Sequence, residues 1–277
     1  MTIANSASNL SSDASSTANH ARRQLKLAAR GWFVATVMGQ LLFVTFILMF
    51  YYTTTLTGNY AGWNAKPLIT GYVKGDAAGN QGFALHVLLA AVMTLAGLTQ
   101  LVPQVRSRWP GIHRWSGRMF LGLVLVLAVG GLWLVWVRGS YLTVPGAIAI
   151  SLDAVLIIGF GLMAWRTVRK RDFAAHRRWA LRTFIVASGV WFMRVGYMAW
   201  GLATGGVGVG PKMSGPFDLT WAFATYLLPL LVLELYLRAE RGSPTIQRLL
   251  AGGLWLAAAL ILAGSGAAWM VMWQPYI

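Results

Sequence analysis

Long apolar runs separated by short polar and basic segments dominate the chain, and none alternates with the period of two expected of a half-buried strand. Seven runs can be marked: Trp32–Tyr52, Phe83–Val102, Gly117–Val137, Pro145–Trp165, Ala180–Leu202, Leu219–Leu237 and Leu250–Met272. At about 1.5 Å of rise per residue, each is long enough as a helix to cross roughly 30 Å of hydrocarbon. The pattern predicts an all-α fold, a polytopic transmembrane helix bundle of about seven spans. A transmembrane barrel is excluded, because it needs alternating strands of roughly ten residues. Residues 1–20, MTIANSASNLSSDASSTANH, have no apolar centre. With the basic stretch that follows, they read as a disordered cytoplasmic tail over 1–30, leaving 31–277 as the transmembrane domain.

Composition agrees with that class. Of 277 residues, 57% are hydrophobic and 11% charged, against roughly a quarter charged in soluble domains. The net charge of +16 would suggest nucleic acid in a soluble protein, but here the basic residues follow the membrane sides. If the N-terminus is cytoplasmic, only Lys66, Lys74, Arg138 and Lys212 of the 23 Lys and Arg lie in outer segments, and Arg194 lies inside a span. The positive-inside rule therefore puts the N-terminus in and the C-terminus out. The expected location is a bacterial inner membrane, multi-pass. Membrane lipids are the expected partners, and nucleic acid is not. With no cysteine, disulfides and thiolate chemistry are excluded. The chain also lacks a Walker loop, G-x-S-x-G and H-E-x-x-H, which removes the chemistries those motifs carry.

Depth sorts the remaining ionisable residues. His86, Asp153 and Arg194 fall in the outer halves of three spans and are expected to form one outer cluster, lined by Trp191 and Tyr197. The structural alternative is an Asp153–Arg194 ion pair that fixes packing. Glu234 and Arg238, four residues apart, read as a pair on one helix. Gln40 and Gln100 are expected to link helices. The outer segment 53–82 reads as an ordinary connection, with a lid or partner contact as the alternative.

On the inner side, PGIHRWSGRMF and FAAHRRWALRTF place His113 and His176 at nearly equal depth. Two neutral imidazoles from neighbouring helices can ligate a haem iron axially, and Arg114, Arg118, Arg177 and Arg182 can neutralise its propionates. The same residue types also suit a lipid headgroup interface, where Arg binds phosphate and Trp sits at headgroup level.

The segments LHVLLAAVMTLAGLTQLVPQVRSRWPGIHRWSGRMF, RDFAAHRRWALRTF and WFMRV, within residues 83–200, resemble a family of bacterial inner-membrane proteins of unknown function. The resemblance implies that His86, Gln100, His113, Arg114, Gly117, Arg118, His176, Arg177, Trp179, Arg182 and Arg194 are its motif positions. It carries no activity. A looser similarity exists to two-haem transmembrane cytochromes b, which place histidine ligands on a four-helix core. Two such haems need four histidines, whereas only His86, His113 and His176 stand near the spans here, so at most an inner haem b would have two. Three functional readings follow: a b-type haem electron-transfer protein working with a quinone or another electron partner; a transporter or sensor whose outer cluster takes a small molecule, anion or proton; and an accessory membrane subunit without cofactor.

Overall fold

The computed structural model describes residues 2–277, with side chains from residue 16 onward. Ten α-helices follow in chain order: α1 Thr2–Phe46, α2 Thr53–Leu56, α3 Ala77–Leu101, α4 Pro103–Arg108, α5 Pro110–Trp136, α6 Val144–Arg169, α7 Phe173–Ala187, α8 Gly189–Thr204, α9 Pro216–Ala239 and α10 Pro244–Ala267. Helices α4, α5, α6, α9 and α10 each carry a proline in the first turn, where its missing N–H costs nothing and its fixed φ suits the helix. Side-chain caps fix other starts. Asp76 accepts from Gly79 N at 2.8 Å, and Asp172 from Ala175 N at 2.9 Å, each satisfying an otherwise orphaned N–H.

Helix α1 lies along α10, and α10 also packs on α8. On the other side, α3 packs on α5, α5 on α6, and α6 on α7, with α9 closing against α6, α7 and α8. Many exposed side chains of the long helices are apolar, among them Val126, Val129, Val155, Leu162, Leu231, Leu256 and Leu260. In water such a surface would be a liability; against lipid tails it is the required one. Together the helices form a polytopic transmembrane bundle.

Six segments are long and apolar enough to cross a membrane: Ser16–Leu56, Ala77–Leu101, Pro110–Trp136, Val144–Arg169, Pro216–Ala239 and Pro244–Tyr276. The expected fifth span, Ala180–Leu202, is instead divided between α7 and α8. The break falls at Ser188, whose N–H is shared between the Phe184 and Ile185 carbonyls. Its hydroxyl donates to Phe184 O at 2.8 Å and accepts from Gln40 Nε2 at 2.9 Å. A serine bonded back to the preceding turn and followed by glycine is a physical cause for a helix to break.

The disordered-tail expectation needs correction from residue 16 to residue 30. This stretch is helical, and Ala21, Leu25 and Ala28 are buried. Leu25 and Ala28 join Ala239, Ala251 and Leu254 in a small core between α1, α9 and α10. Before residue 16, the expectation lies outside the residues whose side chains are described. At their far ends, α1 and α10 both widen into π-helical turns, Ile47–Tyr52 and Ala268–Trp273. The widening brings Phe46, Phe50, Tyr51 and Trp273 into one buried aromatic cluster.

Candidate functional site

The arginine-rich end of the bundle carries the two inner histidines. The Asp172 cap sets the start of α7, so that His176 falls one turn in, with Nδ1 2.9 Å from the Ala164 carbonyl of α6. A carbonyl oxygen only accepts, so Nδ1 carries the proton and Nε2 keeps the lone pair. This second-shell bond is how ligating imidazoles are held in tautomer and orientation. His113 stands in the first turn of α5. Its backbone carbonyl accepts from Gln100 Nε2 at 3.2 Å, while the same amide donates to Ser116 Oγ at 2.6 Å. Gln100 thus ties α3 to α5, as Gln40 ties α1 to the α7/α8 break. His113 Nδ1 is buried and has no hydrogen-bond partner.

The two histidines stand on α5 and α7. Their helices both pack on α6 and meet through Phe120 and Phe184, with ring centroids 6.5 Å apart. Each histidine lies about two helical turns from that meeting point, toward the arginine-rich end.

The flanking arginines divide into two kinds. Arg182 grips Glu234 of α9 with two bonds, at 2.6 and 2.9 Å, and lies over the Trp179 ring at 4.7 Å. Arg177 holds Glu240 in the same two-pronged way, at 3.1 and 3.2 Å. Both are therefore committed to α9 rather than free for propionates. The expected Glu234–Arg238 pair is replaced by one across helices. Arg114 and Arg118 have no ion-pair partner among the described residues.

His86, Asp153 and Arg194 do not form the single cluster expected of them. His86 lies against Gly130 and Gly131 of α5, its Nδ1 buried without a partner. Asp153 lies against Gly189, at the start of α8, and no ion pair joins it to Arg194. Arg194 turns toward α1, over the Phe43 ring at 5.2 Å, and donates to Val190 O at 2.8 Å. Of the two expected lining residues, Trp191 is buried in the same core as Phe43, while Tyr197 donates to Asp218 of α9 at 2.6 Å. Three separate helix contacts hold the three polar groups, because each faces a different neighbour.

Arg194 has a companion that sequence reasoning missed. Lys66, 6% exposed, donates to the Met272 carbonyl and sits over the rings of Phe46 and Tyr276, at 4.8 and 4.4 Å. Burial, with Arg194 nearby, pushes its ammonium down to about 8. Neither cation has a carboxylate partner among the described residues. Nothing in the local sequence around Lys66 signals burial. It enters because the 57–76 segment folds as an ordered cap. Asn64 Oδ1 accepts from Gly71 N and Tyr72 N at 2.7 and 2.9 Å, and Arg138 bonds Asp76 Oδ2 at 2.9 Å and Gly71 O at 3.0 Å.

Among the described residues no three His, Asp or Glu converge as a metal-ion cluster. No curated protein and no solved structure matches the chain. A family model does, across residues 83–211, which run from α3 into the connection before α9. That stretch carries His86, Gln100, His113, Asp153, His176, Arg182, Ser188 and Arg194, and over it the chain is similar to an uncharacterised family described as "Predicted membrane protein (DUF2306)".

Proposed function

We propose that the protein is a b-type haem electron-transfer protein of the membrane, in which His113 and His176 at the arginine-rich end would hold the haem. One observation carries this reading: the His176 Nδ1 proton is spent on Ala164 O, which leaves the Nε2 lone pair for a metal, while His113, about as far from the Phe120–Phe184 contact on α5, has its own Nδ1 buried and unpartnered. A structural histidine pair would have both nitrogens satisfied or would face the headgroups. Two imidazoles without a third protein ligand suit a metal whose other four positions are already filled, as a porphyrin fills them. Arg114 and Arg118, which are not held by carboxylates, are the cations left to meet propionates. Haem would supply reversible one-electron transfer, and a quinone in the same bilayer is the partner class this implies.

The test is an absorption spectrum of protein purified in detergent from haem-supplied cells, with a reduced-minus-oxidised scan. A Soret band that disappears in both His113→Ala and His176→Ala, and survives in His86→Ala, is the expected result. Colourless wild-type protein overturns the reading.

A second reading rests on the other end of the bundle. Lys66 and Arg194 are two cations in an aromatic setting without a carboxylate, and Trp63 and Trp273 add buried N–H groups that lack acceptors. These cations and indole N–H groups are all donors, which favours a small organic carboxylate as ligand. Benzoate should raise the thermal transition of wild-type protein and not that of Lys66→Met. No shift in the wild type removes this reading.

A further inference from the structure

The break between α7 and α8 faces a carboxylate with no cation. Asp153 lies roughly 13 Å along α6 and Tyr226 roughly 15 Å along α9, while Gly189 opens α8 near the middle of the 173–204 stretch. All three are therefore at mid-depth. They meet at the missing side chain of Gly189, where a Cβ would lie 2.8 Å from Asp153 Oδ2 and 3.5 Å from Tyr226 Cβ. Asp153 Oδ1 and the hydroxyl of Tyr226 are both buried without a hydrogen-bond partner. The Gly189 carbonyl, exposed by the break, is already taken by Thr225 Oγ1, which donates to it at 2.8 Å.

The surrounding elements offer no compensating charge. Helix α5 has no titratable residue between Arg118 and Arg138. On α7, Arg182 is held by Glu234, and on α8 Arg194 turns to Phe43. From α9, the titratable group here is Tyr226 itself. An ionised carboxylate in such a place would be uncompensated in an apolar medium, which proteins avoid. A hard metal ion would not resolve it. Calcium takes roughly six to eight oxygens, far more than the carboxylate and the few unpaired oxygens near the break supply. A proton needs a single oxygen.

We propose that Asp153 is a mid-membrane proton-binding site at the α7/α8 break, where α6 meets Gly189 and Tyr226 of α9. The step is a plain acid–base one. A proton from water forms an O–H bond on one Asp153 oxygen, and its release restores the carboxylate, with no oxidation or reduction. The break gives the site its room, because a continuous helix with a side chain at position 189 would fill the space that the carboxyl group occupies. Among the described residues, Asp153 is the one carboxylate against the broken helix that has no ion-pair or hydrogen-bond partner.

Infrared spectroscopy of the full-length protein, in detergent at neutral pH, tests this directly. The expected result is the C=O stretch of a protonated carboxylic acid that moves on ¹³C-aspartate labelling and is absent in Asp153→Asn. The labelling result needs no variant, so it holds whether or not Asp153→Asn folds. Absence of the band from wild-type protein overturns the proposal, as does a labelled band that persists in Asp153→Asn. Loss of the band on adding sodium at constant pH also overturns it, by assigning the carboxylate to a metal cation. His113→Ala should leave the band in place, so this site and the haem reading stand or fall separately.

Discussion

Glu234 offers a quantitative choice between two partners, Arg182 on another helix and Arg238 one turn along its own. An exposed pair four residues apart on one helix contributes about 0.3–0.5 kcal/mol. The Arg182 contact is of another kind. It has two charge-assisted bonds, at 2.6 and 2.9 Å, and a guanidinium 4.7 Å above Trp179. Hydrogen bonds to charged groups contribute about 1.5–3 kcal/mol each and an exposed cation–π contact about 0.5–1. With 18% and 30% of the two side chains exposed, solvent screening reduces the sum. We expect Arg182→Met to destabilise the fold by about 2–4 kcal/mol and Arg238→Met by about 0.5 or less. Reversible unfolding in mixed micelles, followed by tryptophan fluorescence, reads these differences. A double-mutant cycle with Glu234→Gln then isolates the pair. Coupling of about 1 kcal/mol or more is expected with Arg182, and near zero with Arg238. The reasoning is refuted if the Arg182 cycle is additive within about 0.3 kcal/mol, or if Arg238 carries the larger coupling.

Three further outcomes follow from packing and charge. A Cβ at Gly264 would fall on the Val195 carbonyl, whereas one at Gly266 meets nothing; Gly264→Ala should cost about 1–3 kcal/mol and Gly266→Ala no measurable stability, by the same micelle unfolding. The folded Lys66 ammonium is pushed down to about 8 from an ordinary value of 10.5, so between those values the unfolded chain binds more protons. Stability should therefore rise as pH increases from 8 toward 10.5, and Lys66→Met should flatten that rise. Arg138 and the Gly79 N–H hold Asp76 below the ordinary carboxylate value. Its contribution is present above about pH 4 and lost as pH falls below it. Limited proteolysis should then cut the 57–76 cap faster in acid, and Asp76→Asn should be cut at the acid rate already at neutral pH.

The continuous apolar runs near twenty residues determined the class of this protein, because that length suits a helix crossing hydrocarbon, whereas a barrel needs shorter alternating runs. Six of the expected spans overlap the six membrane-length segments, which begin up to 16 residues earlier, as Ser16–Leu56 does against Trp32–Tyr52. The apolar runs also identified Gln40 and Gln100 as links between helices, since an amide buried in an apolar run has few other ways to find partners. The recurring His-Arg-Trp segments marked both inner histidines, and the charge of their neighbours placed them at the arginine-rich end. What the sequence did not determine was which side chain meets which. Separation along one helix suggested Arg238 for Glu234, but the approach of α7 supplied Arg182. Depth suggested one cluster of His86, Asp153 and Arg194, but depth fixes only one coordinate, and helix rotation sent each toward a different neighbour. Lys66 gave no signal because its burial comes from a cap folded over widened helix ends. The bond that Ser188 accepts at the break comes from Gln40, a residue far away in the chain. Period and composition are properties of single segments; partners, tautomers and unpaired charges are properties of their packing, and only the tertiary structure decides them.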